Sequence, residues 1–297
     1  MTVCLAAICT DDEGQPRVVI ASDRMVTYPG FIEFEHTVPK IAPASPCAVT
    51  MISGDTLVGT RLARETAQAT YGSNPPLAQI AQQLALNYEA VRHQWVETQV
   101  LSPRGLNFQS FYQGHAGFNG QITFAIDQTL TQFDLQIELL LAGVDGSGAH
   151  LYTVHNPGRT PREHDVIAYA AVGSGWIHVM QSMIGFHHSP GAPFKETLYR
   201  VYASKRRAEV APGVGTEMDM AVISHAGIQA LTEEQLRELE GIYNTIRADS
   251  QSVLDSHLSE LVFDLQPPVP PEGPRGGESD EPQPPDDTPA GPAASGP

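Results

Sequence analysis

Thr2-Val3-Cys4-Leu5-Ala6-Ala7-Ile8-Cys9, then Thr10-Asp11-Asp12-Glu13-Gly14-Gln15-Pro16, then Val18-Val19-Ile20-Ala21-Ser22-Asp23-Arg24: two apolar runs flank a polar loop. The runs are rich in β-branched and small residues, and the loop carries a glycine and a proline. That pattern predicts a β-hairpin with a longer turn. A secretory leader would show a basic patch, a long apolar run and a cleavage site; a strand is expected from the second residue instead. Trimming of the initiator methionine ahead of a small threonine would leave Thr2 as the first residue. A threonine in that position is a nucleophile whose base is its own α-amine. The bland alternative is an ordinary first strand residue.

The chain has 297 residues, enough for a sizeable core in one or two domains. Its net charge of -17 argues against nucleic-acid binding, which calls for a basic face. No apolar run reaches the length of a membrane span. The three cysteines, Cys4, Cys9 and Cys47, are an odd count in apolar surroundings near the start. They suit reduced core thiols, and a cytoplasmic protein is expected. Neither Cys-x-x-Cys nor His-Glu-x-x-His spacing occurs, so neither a metal nor a cofactor is expected. His187-His188 reads as a loop pair.

Beyond the hairpin, residues 25 to 36 alternate loosely and lead to Lys40-Ile41. The run Cys47 to Ile52 closes on Ser53-Gly54-Asp55, where glycine lets backbone approach a ligand closely. A helix is expected over Thr56 to Tyr71 and another after Pro75-Pro76. The second carries Leu77, Ile80, Leu84, Tyr88, Val91 and Trp95 at helical spacing, a stripe that should pack on a sheet. Residues 102–134 read as an irregular insertion with one strand, Ile122 to Ile126. Glu138 to Asp145 is a buried strand that turns at Gly146-Ser147-Gly148 into a partner strand. Val166 to Val172 forms another strand and ends on Gly173-Ser174-Gly175. Helices follow over Trp176 to Phe186 and Pro193 to Arg207, then a last strand, Met218 to Ser224.

Thr232 with Gln235 forms a capping box, and Leu231 with Leu236 a hydrophobic staple, so a helix opens there and should run to about Leu261. The expected organisation is a domain over 1–230, an amphipathic helix over 231–263 and a disordered acidic, proline-rich tail over 264–297. Strand pairs alternating with helix pairs suit an α+β fold with two antiparallel sheets between helical layers, a four-layer αββα sandwich.

With these elements in order, the chain resembles the proteasome β-subunit and HslV family of N-terminal-nucleophile (Ntn) hydrolases. The likeness rests on Thr2 with Leu5-Ala6; Val19-Ile20-Ala21-Ser22-Asp23; Lys40-Ile41; Thr50-Met51-Ile52-Ser53-Gly54 before a helix; Leu140 to Asp145; Gly173-Ser174-Gly175; and Met218 to Ile223. None is specific singly; their order and spacing together carry it. The resemblance implies that Thr2 is the nucleophile, Asp23 its acidic partner and Lys40 the site lysine. It places Gly54 in the oxyanion hole, Ser174 against the nucleophile's amine and Thr27 in the substrate channel. Two support positions expected shortly before the last strand, an Asp and a Ser, fall on Ala211 and Val214.

The implied activity is a threonine-type endopeptidase or amidohydrolase acting on peptides or unfolded protein. It would work in a homo-oligomeric ring, with an unfoldase or second ring as a further partner. A catalytically inactive structural subunit and a small-molecule amidase are the alternatives. By itself, Asp23 with Lys40 would equally be an ordinary surface ion pair.

Overall fold

In a computed structural model of the chain, residues 2–28, 32–36, 40–70, 75–114 and 117–259 are described, apart from the side chains of 27, 28, 32 and 33. The chain divides into two units, Met1–Ala248 and Asp249–Pro297.

In the first unit, strands β1 (Cys4–Thr10) and β2 (Pro16–Asp23) form the expected hairpin, in register from Cys4 opposite Ser22 to Thr10 opposite Pro16. Asp11 holds the turn: its Oδ1 accepts the amides of Glu13 and Gln15, and its Oδ2 accepts the Arg17 guanidinium. A short hairpin follows, β3 (Met25–Tyr28) with β4 (Ile32–Glu35). Next come β5 (Ile41–Ser45), β6 (Ala48–Gly54) and helices α1 (Thr56–Thr70) and α2 (Leu77–Val96). After the 102–134 region, strands β7 (Ile137–Asp145), β8 (Gly148–Val154), β9 (Arg162–Glu163) and β10 (Tyr169–Val172) lead to the next helix pair.

The fold is α+β and its sheets are antiparallel. One five-stranded sheet runs β10-β1-β2-β11-β12, where β11 is Met218–Ser224 and β12 is Gly227–Ala230; the other runs β5-β6-β7-β8-β9. β1 is apolar from Cys4 to Cys9 because both of its faces are covered, which removes the alternation of a half-exposed strand. Cys4, Ala6 and Ile8 meet Val49, Met51, Leu140 and Ala142 of the other sheet. Val3, Leu5 and Ala7 pack with Val179 and Met183 of a helix over Trp176–Gly185 and with Val201 and Tyr202 of one over Phe194–Ala208. On the second sheet, Ile52, Leu139 and Leu141 bury the stripe Leu77, Ile80, Leu84 and Tyr88 of α2, with Leu62 and Ala63 of α1.

Two sequence expectations need correction. Residues 102–134 are largely helical: α3 (Phe108–Gly114) and α4 (Gly120–Gln132) replace the irregular insertion and its strand at 122–126. The Asn119 side chain caps α4 by accepting the Gln121 amide at 2.9 Å. Ile126 and Leu130, four residues apart on one helical face, bury against Val96, Val100, Leu101 and Phe111, while Ile122 and Phe124 stay exposed. Arg92 ties the far end of this region to α2 through the carbonyls of Leu130 and Phe133. Likewise, the strand expected from Val166 starts only at Tyr169, because Ala168 has φ +65° and Val166 is 90% exposed.

The last helix of the described residues, α5 to α6 being the pair over Trp176–Gly185 and Phe194–Ala208, is α7 (Glu233–Ser259). Its capping box forms: Thr232 N–H donates to Gln235 Oε1 at 2.9 Å and Gln235 N–H to Thr232 Oγ1 at 3.2 Å. Leu231, Leu236, Leu239 and Tyr243 pack with the α6 cluster. The start of this helix therefore belongs to the body, which extends to Ala248 where the sequence suggested a boundary at 230. In the second unit, residues 249–259 continue the helix, with Val253, Leu254 and Leu258 about half exposed. The tail over 264–297 and the expected helix end at Leu261 lie outside the described residues. None of the described helices is long and apolar enough to cross a membrane.

Candidate active site

The hairpin register sets the first part of the site. With Cys4 opposite Ser22, Asp23 comes alongside Val3 and Thr2. Asp23 N–H donates to the Val3 carbonyl at 3.1 Å, and Val3 N–H donates to Asp23 Oδ1 at 2.9 Å. Thr2 is 2% exposed and Asp23 fully buried. The Thr2 hydroxyl donates to Asp23 Oδ1 and accepts from Lys40 Nζ.

Lys40 arrives from the other sheet. Its carbonyl accepts the Ile52 amide at 3.0 Å, which extends the β5–β6 pairing by one residue and fixes the backbone. Its ammonium, 4% exposed, lies 3.0 Å from Asp23 Oδ1. A lysine buried this deeply is stable only when paired, so a surface ion pair is excluded.

Asp23 is the hub. Oδ1 takes Thr2 Oγ1, Val3 N and Lys40 Nζ, while Oδ2 takes Met25 N and Gly215 N, each at 3.1 Å. Every lone pair of the carboxylate is engaged, which offsets its loss of water.

Gly215 depends on residues that carry no sequence signal of a site. Lys205 of α6, fully buried, donates to the carbonyls of Gly215 and Thr216 at 2.8 Å and to Glu209 Oε1 at 2.6 Å. Burial pushes its pKa down, against the pull of Glu209. Glu35 Oε1 accepts the amides of Thr216 and Glu217 at 2.7 and 2.9 Å. Lys205 falls in the run Lys205-Arg206-Arg207, which reads as an ordinary basic helix end; only its burial distinguishes it.

The remaining sequence candidates fall around this cluster unevenly. Ser174 donates to the Thr2 carbonyl at 3.3 Å and to the Pro212 carbonyl at 3.2 Å, so its contact with Thr2 is through the carbonyl oxygen. The Thr2 carbonyl also accepts the Gly175 amide at 3.3 Å. At Gly173, φ is +94°, and a Cβ would sit 2.3 Å from the Thr2 oxygen. Gly54 lines the adjoining cleft with φ +95°, and a Cβ there would sit 1.9 Å from the Gln136 carbonyl oxygen. Backbone geometry alone therefore demands glycine at 54. Thr27 lies in β3 opposite Glu33, and its side chain lies outside the described residues. Ala211 and Val214 are buried with the α5–α6 cluster and offer Thr2 no polar group.

Gly173 and Ser174, which lie against the Thr2 carbonyl, form with Ser53 part of the lining of a cleft of about 1190 Å³. Glu138 stands in that lining, opposite Ser53 in the β6–β7 register, and its Oε2 accepts the Gly173 amide at 2.6 Å. The arrangement thus joins a buried hydroxyl, ammonium and carboxylate behind the Gly173–Ser174 wall of a cavity large enough for a peptide segment; the three side chains themselves do not line it. Compared with protein-family models and with curated proteins, the chain matches none.

Proposed function

We propose that the chain is an N-terminal-threonine amidohydrolase, a peptidase of the proteasome β-subunit type, built as a four-layer αββα sandwich. The observation that carries this reading is the buried contact of Thr2 Oγ1 with both Lys40 Nζ and Asp23 Oδ1.

Removal of Met1 frees the Thr2 amine beside its own hydroxyl. A free α-amine titrates near ~8, within reach of neutral pH, and a neighbouring ammonium disfavours its protonation. The amine takes the hydroxyl proton as Oγ1 attacks the substrate carbonyl carbon. Lys40, held by Asp23, supports the negative charge that builds on Oγ1. Collapse of the tetrahedral species breaks the C–N bond, and the protonated amine returns the proton to the leaving nitrogen. Water, deprotonated by the same amine, then hydrolyses the acyl ester. Gly54 supplies the oxyanion-hole N–H in this reading, and Ser174 holds the Thr2 main chain in place. A homo-oligomeric cytoplasmic ring taking peptide or unfolded protein, fed by an unfoldase or capped by a second ring, completes the proposal.

The test combines N-terminal sequencing with an epoxyketone probe, whose warhead reacts with a hydroxyl and an adjacent free amine together. Labelling of Thr2 and loss of peptide hydrolysis in Thr2→Ala are the expected results; unchanged hydrolysis in Thr2→Ala refutes the mechanism. A second reading, a non-catalytic subunit of the same fold, is favoured by the apolar Ala211 and Val214 where further support for the nucleophile is expected. Retention of Met1 on the purified protein would decide for it, since no free threonine amine would exist.

A further inference from the structure

We propose that Lys205 is a positioning residue of the Thr2 site: it fixes the Gly215–Thr216 backbone so that the Gly215 N–H holds the Asp23 carboxylate toward Lys40 and Thr2. Its effect on turnover rests on the reading of Thr2 as nucleophile; its hold on Asp23 does not.

Lys205 lies in the last turn of α6. A basic side chain there ordinarily stays at the surface and answers the helix dipole, as Arg206 does with 22% of its side chain exposed. Lys205 turns inward instead and is fully buried. Its three N–H donors go to Glu209 Oε1 at 2.6 Å and to the Gly215 and Thr216 carbonyls at 2.8 Å each. Those carbonyls lie ten and eleven residues further along the chain, outside the helix. Helix capping therefore does not account for burying an ammonium, which costs its hydration. Two of its three partners belong to one short segment, and holding that segment is what the burial achieves.

The segment is clamped across two successive peptide planes. Lys205 takes the carbonyls of Gly215 and Thr216, while Glu35 Oε1 takes the amides of the same planes, Thr216 N–H at 2.7 Å and Glu217 N–H at 2.9 Å. With both planes pinned at either end, the plane before them presents the Gly215 N–H to Asp23 Oδ2 at 3.1 Å. Glycine at 215 is an independent sign of this close approach: a Cβ there would sit 2.7 Å from Glu35 Oε1 and 3.1 Å from Met25 Cβ.

Among the described residues, the other donor to Oδ2 is the Met25 amide, two residues along the chain from Asp23 itself. Without Gly215, that local bond alone would hold this side of the carboxylate, and Oδ1 could swing away from Thr2 and Lys40. Burial pushes the Lys205 pKa down, and Glu209 and Asp23 pull it back, so Asp23 and Lys205 also act on each other through their charges. Ala211 and Val214 bring no polar side chain to this place. The main chain held by Lys205 takes their part.

Two measurements on the full chain test the inference. In the first, Met1-free protein reacts with the epoxyketone probe, and both the labelling rate and the fraction of Thr2 finally labelled are read. Lys205→Met keeps the apolar stem and should label completely but at least ~10-fold more slowly, since a small misplacement of a reacting group is enough for such a loss. Glu35→Ala, at an exposed residue on the other end of the clamp, should slow labelling at least ~3-fold. Leu239→Ala, which loosens the α6 cluster from the α7 side, should label at the parent rate. A lysine that only stabilised the fold would lower the labelled fraction and leave the rate of the remainder unchanged; that result overturns the proposal. If Lys205→Met does not fold, Glu35→Ala decides: slower labelling supports the clamp, and the parent rate overturns it.

In the second, urea unfolding of Lys205→Met, Glu35→Ala and Asp23→Asn, and of each of the first two combined with Asp23→Asn, measures coupling without any turnover. The combined loss in unfolding constant should fall short of the product of the single losses by at least ~5-fold with Lys205→Met and ~3-fold with Glu35→Ala, because all three residues share one hydrogen-bond network. Coupling of this size supports the hold on Asp23, and losses that simply multiply overturn it. Absence of labelling in the parent removes the nucleophile reading, and the coupling then decides the proposal by itself.

Discussion

Replacing Lys40 by methionine isolates the interaction on which the site depends. Methionine keeps the length and apolar stem of lysine but removes the ammonium that lies 3.0 Å from Asp23 Oδ1 and bonds Thr2 Oγ1. Removing one partner of a buried ion pair typically costs about 3–5 kcal/mol, because the other charge is left uncompensated. Asp23 keeps four donors here: Thr2 Oγ1, Val3 N, Met25 N and Gly215 N. Those bonds reduce the expected loss to about 2–3 kcal/mol. Asp23→Asn should destabilise as well, by stranding the ammonium and by turning an amide toward N–H donors. In the double variant neither charge remains, so the two losses should fall short of additivity by about 2 kcal/mol. Urea unfolding of the parent, both single variants and the double variant, at low and high salt, measures this directly. The coupling should persist in 1 M salt, because a buried pair is poorly screened. Turnover by Lys40→Met should fall about 10²–10³-fold. A Lys40→Met protein within about 0.5 kcal/mol of the parent, or additive variants, would refute the reasoning.

Three further outcomes are expected. Gly173→Ala should lose at least about 2 kcal/mol in urea unfolding, since a Cβ at φ +94° would meet the Thr2 carbonyl oxygen at 2.3 Å; Gly146→Ala, with open space around it, should stay within about 0.5 kcal/mol. Asp145 titrates at about 2 against an ordinary 3.8: burial pushes it up, but bonds from the Ser147 hydroxyl and the Leu77 and Ser147 amides outweigh that. Its folded-state value is depressed, so its contribution, of order ~2 kcal/mol, is present above pH 4 and lost as pH falls toward 2. Asp145→Asn should therefore flatten the acid limb of a stability–pH profile in that window. Burial pushes the Cys4 and Cys9 thiols up to about 12. A thiol reagent at pH 8 should thus spare both in the folded protein and modify all three cysteines, Cys47 included, once urea unfolds it.

Much of the framework was legible locally. The β1–β2 hairpin, the α2 stripe and the capping box at Thr232 and Gln235 follow from apolar runs flanking a polar loop, helical spacing and end chemistry. These signals depend on neighbours within a few residues. The hairpin register also carries Asp23 to Thr2 without help from the rest of the chain. In residues 102–134, Ile122, Phe124 and Ile126 alternate as in a strand, although the segment is helical. The helix is decided instead by Ile126 and Leu130 reaching Val96 and Phe111, a contact that spacing alone does not reveal.

For the site, the sequence by itself determined which hydroxyl and which carboxylate meet, since one hairpin holds both. Only the tertiary structure decided that Lys40, from the opposite sheet, closes on them, that Lys205 and Glu35 brace the Gly215 amide against Asp23, and that Glu138 and Ser53 stand together in the cleft wall. The physical reason is range. Register and capping are set by bonds along one segment, whereas a buried charge finds its partner only when separate layers pack and exclude water between them.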